Sequence, residues 1–456
     1  MKKYDVIVIG SGCGMNVVDG AVAHGLSVAL VDKGPLGGTC PNTGCIPSKM
    51  LISAAERIAE IEEARAMGVE AEVRSIDFGF IMERMRRFVR DNQAEMRQGL
   101  AEVGSLDLYE GVGRFVGDYT LEVNGETVRG DKVFIACGSR PFVPPIKGLE
   151  SVDYLTNETL LQVTARPESI IIIGGGYIAV EYGHFLAAMG VKVTMLEMAD
   201  RLILSEEPEI AELLKKRLSQ RMDIHTGVQA EEFKEDASGV AVTVKDVKAS
   251  SKSDIKAQRV LVAVGRRSNA DTLALDKTGV EIDQRGFVRV NEYLETTKKN
   301  IFAVGDSNGQ QMFTHVANVE ASLAADNAIN GSKTKMDYSA APHAVYSHPQ
   351  IASVGLTEEA ARKEHKVMVG KARYFDVAQG EAMMEKDGFA KAVVEAHSRK
   401  LLGFHLIGPY APVLIQEVIN AMASGGGIDQ IQTGIHIHPS ITELIPVVLS
   451  SLEDAA

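Results

Sequence analysis

The apolar run Tyr4 to Ile9, "YDVIVI", is unbroken, the mark of a strand covered on both faces. It stops at Gly10, Gly12 and Gly14. A rhythm of small and apolar residues then predicts a helix to about His24, and a second apolar strand ends on Asp32. The same order returns in "SIIIIGGGYIAVEYGHFLAAMGVKVTMLEMADR". There a strand meets Gly174 and Gly176, a helix carries Ala179, and the next strand ends on Glu197. Repeated strand–helix–strand units predict an α/β chain. Between these units, "CIPSKMLISAAERIAEIEEA" has the period of a long amphipathic helix, with Pro47 tolerated in its first turn. Residues 238–265 alternate apolar and polar, predicting a hairpin that turns through the polar run 249–256. From about Tyr338 the pattern changes to strands, then a helix over residues 413–423, then a loop rich in histidine.

A length of 456 residues predicts several domains, and 45% hydrophobic with 24% charged residues is the balance of a globular protein. The net charge of −13 argues against a nucleic-acid partner, which needs a basic surface. No apolar run approaches the roughly 18 residues of a membrane span, and the start lacks the layout of a signal peptide, so a cytoplasmic location is expected. Four cysteines in so long a chain make no disulfide framework. A disulfide here would therefore be catalytic sooner than structural.

Glycines at Gly10 and Gly12 permit a tight turn and close approach of a pyrophosphate to a helix N-terminus, while Asp32 stands where an acid accepts hydrogen bonds from a ribose. The sixth position of this fingerprint is Met15 rather than glycine, which leaves close packing of helix on strand to the neighbouring Gly14. In the second unit Glu197 would bond the 2′-hydroxyl of NAD and repel the extra phosphate of NADP. Ala179, in the place of a third glycine, is a feature of NADP enzymes. Charge repulsion discriminates more directly than a methyl group, so NAD is favoured over NADP.

The stretch "GGTCPNTGCIPSK" holds Cys40 and Cys45 five positions apart. A metal clip, a structural disulfide and a redox disulfide compete for it. Zinc would want four ligands, and Cys13 and Cys137 offer no paired spacing, so no metal site is expected. Cys45 falls at the start of the expected helix, where the dipole and free N–H groups stabilise a thiolate, which favours redox chemistry. Cys13 and Cys137 read as small buried hydrophobes.

This segment closely resembles the active-site segment of the flavin-dependent pyridine nucleotide–disulfide oxidoreductases, and the resemblance spans nearly the whole chain. "VFIACGSRP", with Gly138, is similar to the family's strand between its flavin and nicotinamide domains, and "VLVAVGRRSN", with Gly265, to the return from the second domain. "TTKKNIFAVGDSNG" resembles the second FAD signature, in which Asp306 would bind the ribityl chain. "APHAVYSHPQIASVGLTEEAA" resembles the start of the dimer-interface domain. The resemblance implies two Rossmann-like dinucleotide-binding domains, for FAD and NAD, and a C-terminal α+β dimerisation domain. The boundaries expected are 1–148 and 271–337 for the FAD-binding part, 149–270 for NAD(P) and 338–456 for dimerisation. It further implies that Cys40 is the interchange thiol and Cys45 the flavin-side thiol, with Lys49 and Glu181 an ion pair beside the flavin. In "HIHPSITE", His438 would be the acid–base partner of the outer cysteine, contributed across a homodimer whose active site is shared. Glu443 would orient it, as thiol–disulfide exchange requires. His436 reads as a packing or hydrogen-bonding residue. Pro41 departs from the aliphatic residue expected after the first cysteine.

Relatives that need a second cysteine pair near the C-terminus do not fit, since the last cysteine is Cys137. Glu197 points to NAD, and His315 and Ala317 in "MFTHVANVEA" resemble the lipoamide-type segment. The expectation is therefore FAD-dependent oxidation of dihydrolipoamide to lipoamide with NAD as acceptor. A 2-oxoacid dehydrogenase complex core is a possible partner. The alternative is an NAD(P)H-dependent reductase of a low-molecular-weight disulfide, of the mycothione or glutathione reductase kind. A non-catalytic flavoprotein subunit is the remote third reading.

Overall fold

Strand Lys2–Ile9 lies at the centre of a seven-stranded sheet in a computed structural model that describes residues 1–237 and 239–454. Ser238, which opens the predicted hairpin, and the last two residues of the predicted dimerisation domain lie outside the described residues. Strand Lys2–Ile9 pairs in parallel with Val28–Asp32 on one side and Glu126–Ile135 on the other. Because side chains alternate along a strand, the run fills two cores at once. Val6, Val8, Leu30 and Phe134 enter one; Ile7, Ile9, Val31 and Ile135 enter the other.

The chain divides into two units. The first gathers Met1–Ser48, Met82–Phe142 and Gly265–Met336, and the second Lys49–Ile81, Val143–Val264 and Asp337–Ala456. The first unit is built on the seven-stranded sheet, closed by Ile301–Ala303 pairing in parallel with Glu126–Ile135.

In the second unit four parallel strands run in the order Asp223–Thr226, Lys192–Glu197, Ser169–Ile173, Arg259–Val262. A three-stranded antiparallel sheet, Val228–Asp236, Gly239–Asp246 and Lys252–Ala257, lies beside them in sequence. The predicted turn over residues 249–256 is corrected here. Most of it is strand, and the reversal is confined to residues 247–251. The same unit carries a six-stranded sheet from Pro342 onward, against which helix Ala411–Ala423 buries Leu414, Ile415 and Val418. The helix predicted from the redox segment runs Cys45–Glu63.

Candidate functional site

Both glycine turns are built alike. Gly10 has φ +105°, and a side chain there would stand 2.2 Å from the carbonyl oxygen of Ala136. Gly174 has φ +110°, and its added Cβ would stand 2.4 Å from the carbonyl oxygen of Ala263. At each turn only glycine combines that backbone with that approach. Two residues beyond those alanines, Gly138 and Gly265 also have positive φ, and an added Cβ at either would meet open space. Helices Gly14–Ala23 and Tyr177–Ala188 start at these turns, and neither has a side-chain cap. Gly176 leaves nothing within 4 Å of an added Cβ at the second helix start. Cradles of this form, with an uncapped N-terminus, fit the pyrophosphate of a dinucleotide.

Gly14 supplies the close packing that Met15 left in question. A Cβ on it would stand 2.8 Å from Val8 Cγ1 and 3.2 Å from Ala136 Cβ. Asp32 is nearly buried. Its Oδ2 accepts from the Ser11 amide and hydroxyl, both at 2.6 Å, and its Oδ1 from the Gly34 amide at 2.6 Å. The Ser11 hydroxyl oxygen accepts in turn from the Gly37 amide at 2.8 Å. The acid at the end of the second strand thus ties the first glycine turn to the redox loop. In the second unit Glu197 ends its strand with Oε1 accepting from the Ala199 amide at 2.6 Å, and Ala179 is fully buried in its helix.

The redox loop lies on the first glycine turn. Gly38 has φ +68°, and a Cβ there would stand 2.8 Å from Gly12 Cα. Cys40 sits in the short helix Thr39–Thr43 and Cys45 opens Cys45–Glu63, with Gly44 between them. Asn42 steadies the short helix by donating to the carbonyls of Leu36 at 2.8 Å and Gly38 at 2.7 Å, while Gln93 donates to its Oδ1 at 2.7 Å. Pro41 packs closely on Gly37, where an added Cβ would stand 2.9 Å from the proline ring. Cys45 Sγ lies 3.4 Å from Thr314 Oγ1, at the start of helix Thr314–Ile329, which also carries His315 and the buried Ala317. Cys13 and Cys137 differ in kind. Burial pushes both thiols up, that of Cys137 to about 12, so neither supplies a thiolate at neutral pH.

Asp306 has partners that sequence reasoning missed. The Ser139 hydroxyl donates to it, and Arg266, nearly buried, holds its Nε 3.6 Å from the carboxylate and 2.7 Å from Ser139 Oγ. Thr314, adjacent to the conspicuous His315, was also missed. Ser139 and Arg266 could have been found from their positions next to Gly138 and Gly265.

In the second unit Lys49 Nζ donates to both oxygens of Glu181, at 2.9 and 2.7 Å, and the Tyr346 amide donates to Glu181 Oε1 at 3.0 Å. Glu181 is buried, and these contacts compensate its charge. His438 Nδ1 lies 2.9 Å from Glu443 Oε1, and the Ser440 amide donates to Glu443 Oε2 at 3.0 Å. The Ser440 amide and the His438 ring together hold the Glu443 carboxyl below its usual range. His438 itself is 71% exposed. His436 instead meets Glu417 at 3.1 Å. Among the described residues no group of histidine, cysteine and carboxylate side chains could hold a metal, and no helix is long and apolar enough to cross a membrane.

Residues 4–321 match the family described as pyridine nucleotide-disulphide oxidoreductase, and residues 341–448 match its dimerisation domain. The chain is 34% identical to a mycothione reductase of Mycobacterium tuberculosis over 465 residues, covering 99% of this chain and 100% of that one. It is 35% identical to a dihydrolipoyl dehydrogenase of Geobacillus stearothermophilus over 451 residues, covering 97% and 94%. Among solved structures it is similar to a Cu(II) complex of the HOCl-induced flavoprotein disulfide reductase RclA from Escherichia coli. That match has a TM-score of 0.87 at 27% identity and covers 99% of each chain.

Proposed function

This chain belongs to the pyridine nucleotide-disulphide oxidoreductases, FAD-dependent enzymes that use NAD(P), and from that premise we propose that it oxidises dihydrolipoamide to lipoamide with NAD as acceptor. The observation that carries the reading is the redox loop, in which Cys40 and Cys45 occupy consecutive helical turns laid on the first dinucleotide cradle. Gly10, Gly12, Gly14, Asp32, Gly138 and Asp306 would hold FAD. Gly174, Gly176, Ala179, Glu197 and Gly265 would hold the nicotinamide dinucleotide, with the Glu197 carboxylate favouring a free 2′-hydroxyl. Bound FAD would supply the two-electron carrier between the cysteine pair and NAD.

The chain's own residues perform the sulfur chemistry. A substrate thiolate attacks Cys40 Sγ, the Cys40–Cys45 bond breaks, and its electron pair leaves on Cys45, whose helix N-terminus stabilises the anion. The second substrate thiolate then attacks the first substrate sulfur. Lipoamide leaves with its new S–S bond, and Cys40 leaves as thiolate. The two protons lost by the dithiol pass through the partner subunit's His438, steadied by a carboxylate. Exposure of His438 on the single chain supports a role across a dimer, and the matched dimerisation domain supports the homodimer.

The near-equal likeness to a mycothione reductase favours the second reading, reduction of a low-molecular-weight disulfide. Purified yellow protein assayed at saturating dihydrolipoamide, with NAD and NADP as parallel acceptors, separates the two. Rapid turnover with NAD alone is expected. Preference for NADP would overturn the Glu197 argument. Failure with both acceptors, while NAD(P)H still reduces the flavin, would replace dihydrolipoamide by another disulfide.

A further inference from the structure

The Lys49–Glu181 pair is repeated, in altered form, two helical turns along. Three segments of the second unit meet twice: residues 49–63 of helix Cys45–Glu63, helix Tyr177–Ala188, and the segment that follows strand Pro342–Val345. At the first level Glu181 accepts from Lys49 and from the Tyr346 amide. At the second, Glu56 is the bridging carboxylate. Its Oε1 lies 3.1 Å from His184 Nε2 and its Oε2 lies 3.2 Å from His348 Nδ1. Lys49 and Glu56 are seven residues apart, and Glu181 and His184 three apart, so each pair shares one face of its helix. The two imidazoles stack with centroids 6.2 Å apart and planes within 15°. The second level then continues outward, with His348 Nε2 2.9 Å from Glu63 Oε1 and Arg217 3.1 Å from that same carboxylate.

We propose that Glu56, His184 and His348 are positioning residues that fix the Lys49–Glu181 pair, with His348 acting as the cation that holds the rung closed. This rests on the assignment of Lys49 and Glu181 to the flavin made above. A rung so placed controls the relative tilt of two helices, each of which carries one member of the pair. Loss of its central charge lets the helices shift and moves Lys49 against Glu181.

The protonation states agree with that geometry. Burial pushes the Glu56 carboxyl up, but hydrogen bonds and charge from His184 and His348 outweigh it and hold the group down at about 2. Burial lowers His184, which is fully buried and has no hydrogen-bond partner on Nδ1 among the described residues, so it is neutral and donates from Nε2. Burial also disfavours the charged form of His348, yet Glu56 and Glu63 raise it from 6.5 to about 9. Other charges near the rung are Arg217, Arg221 and Glu62. A raised histidine contributes its full stabilisation below its ordinary value and loses it as pH climbs through the folded one. The rung is therefore closed at pH 6 and opens toward pH 9 and above.

Flavin midpoint potential, read as a function of pH in wild type, Glu56→Gln, His348→Gln and the reference Glu181→Gln, tests the proposal. Wild type is expected to show a break near pH 9 that is absent from His348→Gln. Both rung variants are expected to shift the potential at pH 7 in the same direction as Glu181→Gln, and to slow flavin reduction by NADH by up to about 10²-fold, as misplacement of a positioned group does. If the rung variants only lower the melting temperature, leaving potential and pH profile as in wild type, the rung is structural and the proposal is overturned. If Glu181→Gln itself leaves the potential unmoved, the flavin assignment fails and takes the proposal with it. Titration of the His348 ring by NMR gives a reading free of activity, and an ordinary value near 6.5 would overturn the charge assignment.

Discussion

Replacing His438 by glutamine is expected to slow dithiol oxidation by about 10²- to 10⁴-fold, the usual contribution of a positioned acid–base group, and to leave flavin reduction by NADH nearly unchanged. Glutamine keeps the size and a hydrogen-bonding end but cannot take up a proton near neutral pH. The ring is well placed for that task. Glu443 holds Nδ1 at 2.9 Å, while the Ser440 amide fixes the other carboxylate oxygen at 3.0 Å, so Nε2 is the nitrogen left for substrate. Glu443→Gln should do less, about 10- to 100-fold, because it removes the orienting charge and leaves the base. Rapid-mixing measurement of the two half-reactions separately decides the matter. Equal losses in both would remove His438 from the thiol step and point to a general disturbance of the dimer. The same experiment bears on the shared site. Mixing His438→Gln with a Cys40→Ser variant should regenerate heterodimers carrying one complete site, whereas a base from the same chain would leave none.

The parts of the fold that depend on backbone shape were legible in the sequence. Gly10 and Gly174 stand where any side chain would strike a carbonyl oxygen, so the requirement appears directly as glycine. At Met15, where the fingerprint lacks its glycine, the close contact with the strand is made one position earlier by Gly14, the neighbour to which the sequence left it. The predicted turn at residues 249–256 failed for a different reason. Strand Lys252–Ala257 is an edge strand that opens on the exposed polar residues Lys252, Ser253 and Asp254 and packs only Ile255 and Ala257 on the core, too short an apolar pattern to distinguish it from a loop. The contacts of Ser139, Arg266 and Thr314 were illegible because their partners lie far away in sequence. Arg266 reaches Ser139 across 127 residues and Cys45 meets Thr314 across 269. Common polar residues carry no mark of such meetings. The rung through Glu56 hides in the same way, since it joins positions separated by 128 and 292 residues.

Lys391→Met is expected to destabilise the second unit by about 3–5 kcal/mol, the range for removing one partner from a buried ionic group. Lys391 Nζ stands 3.0 Å from Glu207, 3.2 Å from Glu209 and 2.7 Å from Glu358, with its own side chain 7% exposed and that of Glu207 3% exposed. Burial lowers the lysine, but the three carboxylates raise it overall. Its contribution is therefore complete below its ordinary value and is lost only as pH rises through a higher one. Methionine fills much of the same volume and removes the charge, leaving three carboxylates facing an apolar side chain. Among the described residues Glu207 then keeps the Glu358 amide at 2.6 Å and His405, whose ring burial holds neutral. Charge, not packing, thus predicts the loss. Adding Glu207→Gln to Lys391→Met should recover part of the stability, since the deepest unpaired anion is gone, and the two substitutions should couple strongly in a double-mutant cycle. Denaturant titration of the four proteins gives the coupling. Simple additivity would mean that the carboxylates find other compensation, and that the methylene stem of Lys391, not its ammonium, secures the strands around it.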